Sequence, residues 1–147
     1  MIDSKRVVVT GIGIICPVGN NFESFSKNIF EGKTFVDYFD IERKKKAFFI
    51  KNFDDNFQNK KFGNVLKYSL TSSREAIENS GIKDFSSKKT CIFWGTSNGD
   101  ILNYSSDKVL SYARENLPLN SFFLINSSIF NIPAQIAIEN KLKLPCF

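Results

Sequence analysis

The segment Arg6 to Gly19, reading RVVVTGIGIICPVG, constrains this chain more than any other stretch. Val7, Val8, Val9 and Thr10 are consecutive β-branched residues, and Ile12, Ile14 and Ile15 follow without a polar interruption. Such side chains are stiff at χ1 and pack well on a pleated surface. A run that is apolar on both faces predicts a strand buried on both sides, in a sheet covered by helices. Gly11 and Gly13 permit close backbone approach, and Pro17 with Gly19 stops the strand.

A strand running into Gly-x-Gly also invites a dinucleotide reading, in which a third glycine three residues on opens a helix that holds the pyrophosphate. Here that position is Cys16, Pro17 follows at once, and Asn20 and Asn21 extend the loop past Gly19. The spacing favours glycines that serve close packing over glycines that cradle a phosphate.

Downstream, Phe22, Phe25, Ile29 and Phe30 recur at helical spacing, with Glu23 in the first turn and Gly32 placed to end the helix, which should cover the first strand. Lys33 to Asp55 reads as loop and edge structure, with a short extended piece at Ala47 to Phe53. A longer helix is expected over Phe62 to Asn79, its inner face Val65, Leu66, Leu70, Ala76 and Ile77, terminated by Gly81. Thr90 to Trp94 reads as a short apolar strand ending in the turn Gly95 to Gly99. A helix is expected over Ile101 to Asn116, an aromatic and aliphatic segment at Ser121 to Ile125, and a last helix over Ile129 to Asn140 with Ile132, Ile136 and Ala137 on one face. Pro133 is tolerated there only in the first turn. Strand, helix, helix, strand implies an α/β sheet, mainly parallel and covered by helices.

Composition narrows the function classes. A chain of 147 residues with 42% hydrophobic residues and 16 Phe can bury a core. No apolar run approaches the roughly 20 residues of a membrane span, and Met1 to Arg6 leads into a strand rather than a signal-peptide pattern, so a cytoplasmic location is expected. Cys16, Cys91 and Cys146 are odd in number and far apart, which suggests neither a disulfide framework nor a metal site. With no histidine, zinc and the common acid/base mechanisms lose their usual residue. The net charge of +5 comes from short, interrupted lysine clusters, which read first as solvated faces and next as contacts for an acidic protein. Nucleic acid comes last, since no recognised binding motif accompanies the lysines.

The order of these pieces resembles the N-terminal part of the β-ketoacyl-acyl carrier protein synthases, the condensing enzymes of fatty acid and polyketide synthesis. The resemblance is carried by VVVTGIGIICPVGN, FESFSKNIFEGKT, DYFD, EAIENSGI, CIFWGTSNGD, FFLINSSIFNIPAQIAI and KLKLPCF, and covers essentially all 147 residues. It implies an α/β, layered, thiolase-like half-domain spanning residues 1–147 that ends before the family's nucleophile strand and turn.

It also implies a decarboxylative Claisen condensation. A cysteine thiolate takes an acyl group from a carrier thioester, releasing the carrier thiol. Two histidines assist the loss of CO2 from a malonyl thioester, and the electron pair left on its α-carbon attacks the enzyme-bound acyl carbon as the cysteine thiolate departs. A thiolate suits both roles, being strongly nucleophilic and a good leaving group. In the family the cysteine lies in a Thr-Ala-Cys-like turn beyond the segment matched by KLKLPCF, and the histidines come later. No position of this chain matches them, so catalytic residues are expected to be none in this chain. Cys146 directly follows Pro145 and matches no nucleophile motif; Cys16 and Cys91 fit buried strand positions. No cofactor or metal is implied, phosphopantetheine arriving on the acyl carrier protein as substrate.

Two departures from the family stand out. Lys60 and Lys61 are followed by Phe62, Gly63 and Asn64, where a carboxylate often occurs. Asn98 occupies the place of an isoleucine that gates the acyl pocket in fatty-acid-type members, and a polar amide there disfavours a plain saturated tail unless a partner satisfies it. The resemblance makes Thr96, Asn98 and Phe123 the acyl-pocket candidates, with Phe122 and Phe123 in a stretch that packs across a dimer interface. The partners it implies are an acidic acyl carrier protein and either a second copy or a complementing synthase subunit. Three function classes follow: a catalytically incomplete piece of a condensing enzyme, a non-catalytic partner in the manner of chain-length-factor subunits, and a small acyl-carrier or protein-binding module.

Overall fold

The computed structural model describes residues 6–40, 45–57, 62–85, 90–99, 110, 112–115 and 128–143. Two compact units divide the chain, one of Met1–Asp54 with Thr71–Ile82 and one of Asp55–Leu70 with Lys83–Phe147.

In the first unit, helix α1 spans Phe22–Phe30. Asn21 caps it, its side-chain oxygen accepting the Ser24 N–H at 2.8 Å. Its end is a left-handed closure: Gly32 sits at φ +64, and the Lys33 N–H reaches back to the Asn28 carbonyl. Strands β1 (Val36–Asp40) and β2 (Lys45–Phe48) then form an antiparallel hairpin in which Val36 faces Phe48 and Tyr38 faces Lys46.

Helix α2 spans Asn64–Ser80 and stops at Gly81, which adopts φ +68. From Thr71 onward it lies against the backbone of residues 11–14. A Cβ on Gly11 would lie 2.0 Å from the Ala76 carbonyl oxygen, and one on Gly13 would lie 1.8 Å from that of Ser72. The two glycines are therefore used up in close packing against the helix backbone, as their spacing suggested. Glu75 fixes the seam: its two carboxylate oxygens accept the Ile14 N–H at 2.8 Å and the Phe22 N–H at 2.6 Å. Asn79 adds a third tie, donating to the Ile12 carbonyl at 2.8 Å.

In the second unit, Phe57, Leu66, Leu70, Ile132, Ile136 and Ala137 are the buried apolar residues among those described. Lys67 is buried beside them, its ammonium 2.6 Å from the Asp55 carboxylate. Helix α3 spans Asn131–Glu139 with Pro133 in its first turn. Ile132, Ile136 and Ala137 form its buried face, as the spacing predicted. Leu142 closes the helix by donating to the Ala137 carbonyl at 2.9 Å, with Lys141 at φ +54.

Four expectations are corrected. Residues 6–15 pair with no strand among the described residues, and Val7, Val8 and Val9 are 96%, 70% and 81% exposed rather than buried. The cause is where α2 stops: Ser80 is level with Gly11, so the three valines run past the helix that covers Gly11 and Gly13. Helix α1 buries none of its residues, so it does not cover that segment as a core helix would. The hairpin begins at Val36 and ends at Phe48, so the extended structure lies earlier than Ala47 to Phe53. Thr90 to Trp94 contains a single bridge residue, Ile92, with Cys91 exposed and Phe93 78% exposed. The sheet among the described residues is the antiparallel pair β1 and β2. Of the helix expected over Ile101 to Asn116, Leu110 and Tyr112 to Arg114 are helical, and most of the rest lies outside the described residues, as does Ser121 to Ile125.

Candidate functional site

Thr96 and Asn98 come together in one tight turn. Its geometry is set by Gly99, which is buried at φ +55, a conformation that L side chains rarely adopt. The Gly99 N–H donates to Thr96 Oγ1 at 2.9 Å and closes the turn. A Cβ on Gly99 would meet Ile129 Cγ2 at 3.0 Å, so the turn also rests against the residue two positions before α3. Thr96 and Asn98 are themselves exposed. The third acyl-pocket candidate, Phe123, lies outside the described residues, together with Phe122. Trp94, two residues before the turn, has its indole Nε1 buried without a hydrogen-bond partner.

The cysteines are not drawn into a reactive cluster. Cys16 sits in the loop after the first segment, where its backbone exchanges hydrogen bonds with Gly19 at 3.0 and 3.1 Å. Cys91 is exposed, against the buried strand position expected of it, because residues 90–94 are not covered as a core strand. Cys146 lies outside the described residues. Among the described residues no three His, Cys, Asp or Glu side chains converge to hold a metal ion, and no helix is long and apolar enough to cross a membrane.

An open groove of about 370 Å³ in the first unit is lined by Val9, Thr10, Gly11, Ile12, Phe22 and Asn79. It holds no titratable side chain, and its one amide is already bonded to Ile12. The groove carries no acid/base or nucleophilic chemistry.

Two polar features escaped the sequence reading. Glu75 stands beside Ala76 and Ile77 of the expected inner face, and that placement was the available signal. Lys67 falls between Leu66 and Leu70 and is buried with them. Its pairing with Asp55 bridges 12 positions that no local pattern connects.

Comparisons with known proteins complete the assignment. The sequence profile described as "Beta-ketoacyl synthase, N-terminal domain" matches residues 4–146. A 3-oxoacyl-[acyl-carrier-protein] synthase 2 from Vibrio harveyi is 32% identical over 89 residues, covering 54% of this chain and 21% of the relative. Its counterpart from Vibrio cholerae serotype O1 is also 32% identical over 89 residues, covering 54% of this chain and 22% of the relative. The aligned region is thus about a fifth of those proteins. Among solved structures, the ishigamide ketosynthase/chain length factor superposes with TM-score 0.78 at 18% identity, over 92% of this chain and 37% of that one. A type II polyketide synthase acyl-carrier protein in complex with its ketosynthase gives 0.73 at 16% identity, over 97% and 42%. A β-ketoacyl synthase from Burkholderia phymatum gives 0.73 at 19% identity, over 97% and 38%. The structural likeness establishes an α/β ketosynthase fold, and the profile match over nearly every residue places this chain in the β-ketoacyl synthase family, as its N-terminal domain.

Proposed function

We propose that residues 1–147 form the N-terminal part of a β-ketoacyl-acyl carrier protein synthase, ending before the nucleophile strand, and that they are catalytically incomplete alone. The observation that carries this reading is the family match over residues 4–146 in a chain with no histidine. In this reading the chain supplies scaffold and one wall of an acyl pocket, and a cysteine and two histidines from other residues supply decarboxylation and acyl transfer. In this reading the thiolase-like fold layers a mainly parallel sheet between helices, and Val7 to Val9, exposed in this structure, belong to that sheet.

Thr96, Asn98 and Phe123 are the proposed acyl-pocket residues. Asn98 presents a polar amide, which favours an acyl group carrying oxygen over a plain saturated tail. The proposed partners are an acidic acyl carrier protein, attracted by the net charge of +5, and a second copy or a complementing synthase subunit, in the cytoplasm.

The test is condensation of acyl and malonyl thioesters by the purified chain, followed by β-ketoacyl product. No turnover is expected from the chain alone. Turnover above a heat-treated control would refute the reading and return attention to Cys146. A second reading, a non-catalytic partner of an intact synthase, is favoured by the same lack of histidine, since a partner subunit needs none. Stable copurification with a synthase that is already active by itself would select it.

A further inference from the structure

We infer that Ile129 is a positioning residue for the Thr96 to Gly99 turn and sets where the Asn98 amide stands against an acyl group. The inference rests on the proposal that this turn faces the acyl chain. It comes from the packing beneath the turn. Gly99 has open space on neither count: its φ of +55 disfavours any side chain, and its Cβ position is occupied by Ile129, with Cγ2 at 3.0 Å, Cα at 3.5 Å and Cβ at 3.8 Å.

The turn is therefore fixed at two points. Thr96 holds it from within, through the 2.9 Å bond from the Gly99 N–H, and Ile129, itself 44% exposed, packs against Gly99 from outside the turn. Asn98 is exposed between these two points, as is Ser97. The seat is itself anchored, because Ile129 leads into α3, whose Ile132 and Pro133 are fully buried and whose first turn is bonded back to Ser128 and Phe130. A consequence is a division of roles within the candidate site. The Thr96 hydroxyl shapes the turn, and Asn98 is the group that meets the ligand.

Trp94 is the chain's single tryptophan and lies two residues before the turn, so its fluorescence reports binding there. The probes are octanoyl-pantetheine and 3-oxooctanoyl-pantetheine, titrated against the full chain, and the readout is the ratio of their two Kd values. Asn98→Leu should shift that ratio toward the saturated probe. Ile129→Ala, which removes the Cγ2 seat, should change the ratio by about threefold or more. Ile129→Val, which keeps Cγ2, should restore it. Thr96→Val, equal in shape but without the hydroxyl acceptor, should move the ratio as Ile129→Ala does, and it serves as the test if Ile129→Ala does not fold. An unchanged ratio in Ile129→Ala beside a shifted one in Asn98→Leu would overturn the positioning role of Ile129 alone. Failure of both probes to bind, or no effect of Asn98→Leu, would overturn the acyl-pocket reading and the positioning role together.

Discussion

The seam between residues 11–14 and α2 makes a sharp prediction for Gly13→Ala. The added Cβ would lie 1.8 Å from the Ser72 carbonyl oxygen and 2.8 Å from the Ala76 nitrogen, both backbone atoms of one helix. No rotamer change can relieve that contact. Opening it to an ordinary separation requires the helix and the segment to move apart, and the same movement carries Glu75 away from the Ile14 and Phe22 N–H groups, now at 2.8 and 2.6 Å. Overpacking by itself costs about 1–3 kcal/mol, and each hydrogen bond to a charged group contributes about 1.5–3 kcal/mol. Gly13→Ala should therefore cost about 4 kcal/mol or more, a large share of the roughly 5–15 kcal/mol that stabilises a typical domain. Two other glycines calibrate the result. Gly81→Ala meets no atom within 4 Å but must hold φ +68, so it should cost about 1–2 kcal/mol. Gly95→Ala meets no atom within 4 Å and carries no such backbone constraint, so it should be close to neutral. Urea denaturation followed by circular dichroism ranks the three, and hydrogen exchange at the Ile14 and Phe22 amides localises the loss to this seam. If Gly13→Ala unfolds within about 1 kcal/mol of the parent chain, or leaves both amides protected, the glycines do not serve helix packing and the argument fails.

Further outcomes follow from the same structure. Glu75→Gln keeps the shape but removes the charge and turns one of the two accepting oxygens into an NH2 donor, and should lower stability by about 1.5–3 kcal/mol with faster exchange at Ile14 or Phe22; an unchanged exchange pattern would remove Glu75 from its anchoring role. Ile132→Ala should cost about 2–5 kcal/mol in urea unfolding, since this side chain is 1% exposed, whereas Ile138→Ala on the open side of α3 should cost far less. Glu31 is held below its usual 4.5 by its hydrogen bond to Lys33, so its contribution is present above the ordinary carboxylate range and is lost as pH falls through the lowered value. Because the group is fully exposed, thermal melts of Glu31→Gln should differ only slightly from the parent at neutral pH, with the gap closing on acidification; a gap that widens would reverse the sign.

What could be read in advance was what is decided locally. Gly32 and Gly81 announce helix ends, and the spacing of Ile132, Ile136 and Ala137 announces a buried face. Each depends on residues within a turn or two of one another. Glu75 and the Lys67–Asp55 pair depend on long-range placement, across 53 and 61 positions for the two Glu75 bonds and 12 for the ion pair. A helix pattern assigns such residues to a face without saying which backbone amide or carboxylate will arrive there.

Val7 to Val9 show the limit most clearly, because apolar sequence specifies a need for cover and not its source. Gly11 and Gly13 let α2 approach until Ser80, and there the cover stops, two residues short of the run that most demanded it. The backbone geometry that makes the first segment dock so tightly at its glycines thus also determines where it is left open. The same division appears at the turn after Gly95. Gly99 and Ile129 fix the backbone tightly, and the side chain they hold in place, Asn98, is left facing outward. In both places the tightly packed glycine is the structural element and the exposed neighbour is the one available for contact.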